Sequence, residues 1–174
     1  EAAAGGQDDW DPAVAVDPGN PNFVYQLITR YTGPKPCGNC KLPAIVLRRS
    51  TNGGMTFTEQ FLKNTTKAQY DPQIAVDING NVHAVFLNGT TPGSTYVRST
   101  DHGATWSAGI DSSAWGAGVT FADIDNDDDL DLYMCVFAGP NPLYLNPADG
   151  AFVELIRLGS RRADWPGWLH GPCR

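Results

Sequence analysis

The 174-residue sequence has no long hydrophobic run and no excess of basic residues. No apolar stretch approaches the roughly 18 residues that a membrane-crossing helix needs, so we expect no membrane span. The 12 Lys and Arg residues are outnumbered by 19 Asp and Glu residues, and this balance argues against nucleic acid as a partner. The chain does not begin with Met, and we expect residues 1–6 to be a processed or truncated end.

Cysteine is also scarce, with four residues in the chain. Cys37 and Cys40 enclose two residues within an insertion rich in Pro and Gly, and no helical pattern follows, as a redox Cys-x-x-Cys motif would require. We predict a short-range disulfide between them, with a zinc site or free thiols as alternatives. Cys135 is either a buried core thiol or a partner of Cys173.

The 19 Gly and 13 Pro residues are spread along the whole sequence. Between them lie short runs rich in Thr, Val, Trp, Tyr and Phe. This regular interruption by Gly and Pro is typical of many short strands with few or no helices. The sequence therefore predicts an all-β fold.

The sequence repeats itself, which indicates a repeat architecture. Residues 10–17 read Trp-Asp-Pro-Ala-Val-Ala-Val-Asp and recur at 70–77 as Tyr-Asp-Pro-Gln-Ile-Ala-Val-Asp. Residues 49–57, Arg-Ser-Thr-Asn-Gly-Gly-Met-Thr-Phe, recur at 98–106 as Arg-Ser-Thr-Asp-His-Gly-Ala-Thr-Trp. The first copy is longer because of the insertion at residues 32–41.

The second of these segments resembles the Asp box, Ser-x-Asp-x-Gly-x-Thr-Trp, of BNR repeats in sialidase-like β-propellers. The box has a structural explanation: Asp101 and Asn52 can bond their own turns, and Gly103 and Gly54 supply positive φ. The resemblance implies two blades of antiparallel strands, at residues 7–66 and 67–112.

The sequence contains one strongly acidic segment, in which six of the nine residues from Asp123 to Asp131 are aspartates. Carboxylates about 5 Å apart repel by roughly 1–3 kcal/mol per pair, and a hard cation relieves that repulsion. In an extended loop, alternate aspartates point to one side, and we expect Ile124 to point into apolar packing. Oxygen-only ligands favour calcium, with magnesium, manganese or a metal-free acidic turn as alternatives.

The loop does not fit an EF-hand, which requires Gly at position six and Glu at position twelve. It is similar to the calcium loop of FG-GAP/VCBS repeats, Asp-x-Asp-x-Asp-Gly-x-x-Asp, with Asp128 in place of the Gly. That resemblance implies a third, calcium-binding blade at residues 113–157. The implied ligands are the side chains of Asp123, Asp125, Asp127 and Asp131 and the backbone carbonyl of Asp129.

About three blades do not close a propeller, which needs typically four to eight. The chain is thus either part of a longer protein or completed by self-association. The tail at residues 158–174 is basic, carries two Trp residues and fits no strand period.

The resemblance to sialidases raises an enzyme hypothesis, but the Arg-Ile-Pro motif of those enzymes is missing. The histidines are scattered, and we predict no catalytic role for His83, His102 or His170. We expect a non-catalytic module that binds a glycan or protein ligand, for example in adhesion. The alternatives are a self-assembling surface or filament protein and a fragment of a sialidase-like glycoside hydrolase.

Calcium loops and disulfides both favour the outside of the cell, either secreted or at its surface. Asn64 and Asn88 begin Asn-x-Thr triplets, so they are candidate glycosylation sites.

Overall fold

A computed structural model describes residues 8–89, 93–112, 116–136, 140–147 and 152–158. Throughout these ranges the regular structure is β-strand, with no helix. The predicted all-β class is confirmed. The predicted tail, residues 158–174, lies outside the described residues except for Leu158.

The strands form three sheets of four antiparallel strands each. Sheet 1 holds β1 (Asp9–Val16), β2 (Val24–Arg30), β3 (Ala44–Ser50) and β4 (Thr58–Phe61). Sheet 2 holds β5 (Gln69–Val76), β6 (Val82–Asn88), β7 (Ser94–Ser99) and β8 (Ser107–Ser112). Sheet 3 holds β9 (Gly116–Ala122), β10 (Asp131–Val136), β11 (Asn141–Leu145) and β12 (Val153–Leu158). Strands pair in chain order within every sheet, so each sheet is an up-and-down meander.

The repeated Asp-Pro segments have the same backbone irregularity in both copies. A β-bulge lies between Trp10 and Ala13 in β1 and between Tyr70 and Gln73 in β5. The Asp of each copy has a positive φ, 52° for Asp11 and 51° for Asp71. Because bulges bend and twist a strand, the first strands of sheets 1 and 2, β1 and β5, share one local shape.

The two Asp boxes close the β3–β4 and β7–β8 hairpins with the same hydrogen bonds. In the second box, the Ser99 hydroxyl donates to Asp101 at 2.7 Å and accepts from the Gly103 N–H at 2.7 Å. Asp101 also accepts from the backbone N–H of Thr105 at 2.8 Å. The first box repeats these bonds with Asn52 at the Asp position. Gly103 has a φ of 79°, as its position in the turn predicts.

Two apolar clusters hold neighbouring sheets together. The first cluster lies between sheets 1 and 2, with buried members Tyr25, Leu27, Ile45, Leu47, Ile74, Val82, Ala84, Phe86 and Val97. The second lies between sheets 2 and 3, with buried members Val85, Tyr96, Leu132, Met134, Val136 and Tyr144. The two central strands of sheet 2, β6 and β7, thus send alternate side chains to opposite neighbours. Face-to-face stacking of meandering sheets is the arrangement of propeller blades.

The predicted short-range disulfide joins Cys37 to Cys40. Cys135 in β10 is disulfide-bonded as well, so its alternative interpretation as a free core thiol is wrong. Cys173 lies outside the described residues. Among the described residues there is no helix that could cross a membrane.

Candidate metal centre

The acidic loop connects β9 to β10, the first two strands of sheet 3. Asp131 pairs with Ala122 where the two strands meet the loop, so residues 123–130 form a hairpin connection. Asn126 and Asp128 adopt positive φ angles of 65° and 69°. Asn and Asp tolerate that conformation better than other non-Gly residues. This explains how the loop accepts Asp128 where the FG-GAP pattern has Gly.

Asp123 organises the loop through its carboxylate. It accepts hydrogen bonds from the backbone N–H groups of Asn126, Asp127 and Asp128 at 2.6, 3.1 and 3.2 Å. Three such bonds coil the backbone of residues 126–128 around one carboxylate.

Asp131 anchors the other end of the loop and is fully buried. One carboxylate oxygen accepts from the Ile124 N–H at 2.8 Å, and the other accepts from the Asn146 N–H at 2.9 Å. A buried carboxylate needs such partners, because an unpaired buried charge is strongly unfavourable. Asp131 therefore ties the loop to the end of β11.

Three of the predicted ligands come together. Carboxylate oxygens of Asp123, Asp125 and Asp131 lie within 4.8 Å of one another. Partial removal from water and the charges of Asp127 and Asp131 raise the pKa of Asp125. A carboxylate among like charges favours a bound cation or a bound proton.

The other two predicted ligands lie differently. Asp127 sits beside Asp125 and accepts the N–H of Asp129 at 3.0 Å, but it is outside the group of three carboxylates. The Asp129 side chain is buried, and burial together with the charges of Asp127 and Asp77 raises its pKa. The loop thus lies close enough to sheet 2 for the charge of Asp77 to act on the Asp129 carboxyl.

The donor set suits a hard divalent cation. All of the candidate ligand atoms are oxygens, and those of the three grouped carboxylates are already close together. Calcium takes six to eight oxygen ligands in flexible geometry. Side chains of Asp123, Asp125, Asp127 and Asp131 and the Asp129 carbonyl would hold it.

The observed solvent exposure contradicts two expectations, one for Ile124 and one for Asn88. Ile124 does not point into apolar packing, since 48% of it is exposed. Asn88 is buried and donates its side-chain N–H to the Thr95 hydroxyl at 3.2 Å. A glycan has no access to such an amide in the folded chain. Asn64 is exposed, and its glycosylation stays a prediction.

The arginines next to the Asp boxes have structural partners. Arg48 donates to Gln26 at 3.1 Å and lies 3.4 Å from Glu59, all within sheet 1. Arg49 crosses to sheet 2, where it donates to the backbone carbonyl of His102. Arg48 and Arg49 therefore act in different contacts and do not form one clamp.

A buried polar network in sheet 2 was missed by the sequence reasoning. His83 is fully buried, with one ring nitrogen 3.1 Å from the Asp77 carboxylate and the other 2.8 Å from the Tyr96 hydroxyl. Asp77 also accepts from the N–H groups of Asn79 and Asn81. The available signal was the repeat, because Asp17 directly follows β1 just as Asp77 directly follows β5.

The sequence matches neither a protein-family model nor a curated protein. Among solved structures it is similar to the Trypanosoma rangeli sialidase in complex with sialic acid, with a TM-score of 0.53 and 16% sequence identity. The similarity covers 86% of this chain and 28% of the sialidase chain.

That similarity shows the fold. This chain is a partial, propeller-like stack of antiparallel sheets, and it corresponds to a little over a quarter of the sialidase chain. At this level of identity, the catalytic residues of a sialidase are not transferable.

Proposed function

We propose that this chain is a non-catalytic, propeller-like module that binds a glycan or protein ligand and is stabilised by calcium. The observation that carries the proposal is the convergence of the Asp123, Asp125 and Asp131 carboxylates in the β9–β10 loop. Their mutual repulsion costs stability in the absence of a cation, and a bound calcium ion turns that cost into a stabilising interaction.

The hydrogen bonds of the loop support calcium over a simple acidic turn. Asp123 and Asp131 accept backbone N–H groups and so are held in place before an ion arrives. Positions fixed in advance lower the ordering cost of binding. The loop also joins β9 to β10, so a bound ion would stabilise the pairing of these two strands of sheet 3.

The disulfide and the candidate calcium loop support an extracellular location. The Cys37–Cys40 disulfide is typical of oxidising compartments, and millimolar calcium outside cells fills loops of modest affinity. The Trypanosoma rangeli structure holds sialic acid, and on that analogy we propose a glycan as the first ligand class to test.

Calorimetric titration with calcium tests the metal site. We expect one ion per wild-type chain and at least a tenfold weaker affinity for Asp125→Asn, which removes one charged ligand. The matched control is Asp101→Asn, because it only makes the second Asp box like the first, where Asn52 holds the equivalent position. Equal affinities for the wild type and Asp125→Asn would refute the site.

A glycan array probed with the calcium-loaded chain tests the binding role, and a fluorogenic sialoside tests catalysis. We expect retention of a defined glycan class and no release of the fluorophore. Turnover of the sialoside would contradict the non-catalytic assignment.

A further inference from the structure

A cavity of about 230 Å³ lies between sheets 2 and 3, lined by residues of β5, β6, β7 and β9. Gly118 of β9 leaves this space, because a Cβ added there would meet nothing within 4 Å beyond its own chain neighbours. Asp71 and Gly118 are each the third residue of their strand, whereas the acidic loop follows the last residue of β9. The cavity is therefore separate from the candidate metal centre.

A buried hydroxyl without a partner lines the cavity. Ser94 is 2% exposed, and its Oγ has no hydrogen-bond partner. Ser94 lies on the same side of β7 as Tyr96, which packs between sheets 2 and 3. An unsatisfied buried polar group is unfavourable, so a ligand that bonds to this hydroxyl gains an interaction that no described residue supplies.

A carboxylate and an amide, those of Asp71 and Gln73, line the solvent side of the cavity, since both residues are exposed. Asp71 lies in the β-bulge of β5 and has a φ of 51°. Partial removal from water and the like charge of Asp11 raise its pKa, and no cationic side chain among the described residues offsets them. A carboxylate in such surroundings favours a bound cation.

The remaining walls are apolar and limit the kind of cation. Val85 is 1% exposed, and Leu87 and Val119 are half-buried. Calcium takes six to eight oxygen ligands, so these walls suit the carbon chain of an organic cation better than a metal ion. The cavity is smaller than the roughly 300–1,000 Å³ of typical ligand pockets, so it suits a small molecule or a single group of a larger one.

We propose that this cavity binds a small organic cation that carries both a protonated amine and a hydroxyl group. The ammonium N–H groups donate to the Asp71 carboxylate in charge-assisted hydrogen bonds. The ligand hydroxyl pairs with the Ser94 hydroxyl, which can both donate and accept. The carbon atoms between them pack against Val85, Leu87 and Val119. This inference goes beyond the proposed function, because it requires neither calcium nor a glycan.

A nuclear magnetic resonance titration of the isotope-labelled chain, followed at the backbone amides of Ser94 and Val119, tests the site with three matched probes. Aminobutanol, with its amine and hydroxyl at opposite ends, should shift both resonances saturably. Butylamine lacks the hydroxyl and should bind more weakly, and butanediol lacks the amine and should not bind. The absence of a saturable shift with aminobutanol, or an equal affinity for butylamine, would overturn the proposal.

The variant Asp71→Asn should weaken the binding of aminobutanol roughly tenfold or more, because a hydrogen bond to a charged group is lost. Asn tolerates the positive φ at this position, and an unchanged melting temperature checks that the fold is kept. Asp11→Asn is the matched control, because Asp11 has a φ of 52° in the equivalent bulge but does not line the cavity. Equal losses in the two variants would show general attraction by negative charge and would overturn the site.

Glucosamine distinguishes two sources of the same chemistry. Saturable binding of glucosamine, without binding of N-acetylglucosamine, whose nitrogen is uncharged, would support the site and identify an amino sugar as its ligand. Binding of aminobutanol but not of glucosamine would support the site with a free amino alcohol as its ligand. If neither aminobutanol nor glucosamine binds, the proposal is wrong, and the calcium site and the glycan array remain independent tests of the proposed function.

Discussion

Calcium should raise the melting temperature of the wild-type chain by roughly 5–11 °C when its concentration is 100-fold above the dissociation constant. Binding to the folded state alone contributes about 2.7 kcal/mol at that ratio. In a chain of this size each kcal/mol shifts the melting temperature by about 2–4 °C. The physical source is relief of repulsion among Asp123, Asp125 and Asp131, whose carboxylates lie within 4.8 Å.

The variant Asp125→Ala should lose most of that calcium-dependent increment. Its melting temperature in EDTA should be no lower than that of the wild type, because Asp125 is exposed and no backbone N–H depends on it among the hydrogen bonds of the loop. Differential scanning calorimetry of both chains, each with calcium and with EDTA, gives the four values. A loss of the same size with and without calcium would mean that Asp125 has only a structural role.

Asp77→Ala should destabilise the chain by about 3–5 kcal/mol, because it removes the acceptor of several hydrogen bonds at once and each unsatisfied buried group costs about 1–3 kcal/mol. The substitution leaves the fully buried His83 without its carboxylate partner. It also removes the acceptor for two backbone N–H groups, at 2.9 Å from Asn79 and 2.8 Å from Asn81. Urea unfolding monitored by tryptophan fluorescence measures this loss.

The internal repeat supplies a matched control in Asp17→Ala. Asp17 is equally buried and accepts two backbone N–H groups, but its histidine contact is His102, which is 43% exposed in its side chain. We expect a smaller loss of about 1–3 kcal/mol, as for unsatisfied buried donors. Equal losses at positions 17 and 77 would show that the buried histidine adds nothing.

Acid should weaken the same network. Burial raises the pKa of Asp77, but hydrogen bonds from His83 and Asn81 outweigh it and leave the pKa below its ordinary value. A carboxyl whose pKa is lowered on folding contributes stability above the unfolded-state pKa of about 4. That contribution is lost as the pH falls through the lower, folded-state pKa. Asp77→Ala should therefore lose less stability than the wild type over that acidic range.

The repeated segments made sheets 1 and 2 predictable from sequence. Both Asp boxes have local hydrogen bonds, between residues two to four apart, so their structure is encoded in a few neighbouring side chains. The acidic loop was predictable for the same reason, since Asp123 bonds only the next few residues.

Longer-range partners were not predictable from spacing. Tyr96 and His83 are 13 residues apart, and a single sequence does not show that β6 and β7 bring them together. The burial of Asn88 was equally unpredictable from the sequence. Its Asn-x-Thr triplet looks like an exposed glycosylation site until the pairing of β6 with β7 is known. The exposure of Ile124 likewise depends on how the loop coils around Asp123 and not on simple alternation.

A crystal structure of the chain grown in calcium tests the account most directly. We predict one ion bound to the side chains of Asp123, Asp125, Asp127 and Asp131 and to the Asp129 carbonyl, at the 2.3–2.6 Å typical of calcium–oxygen distances. The anomalous signal at long wavelength identifies the element. An ordered loop in millimolar calcium with only water between these carboxylates would contradict the central claim.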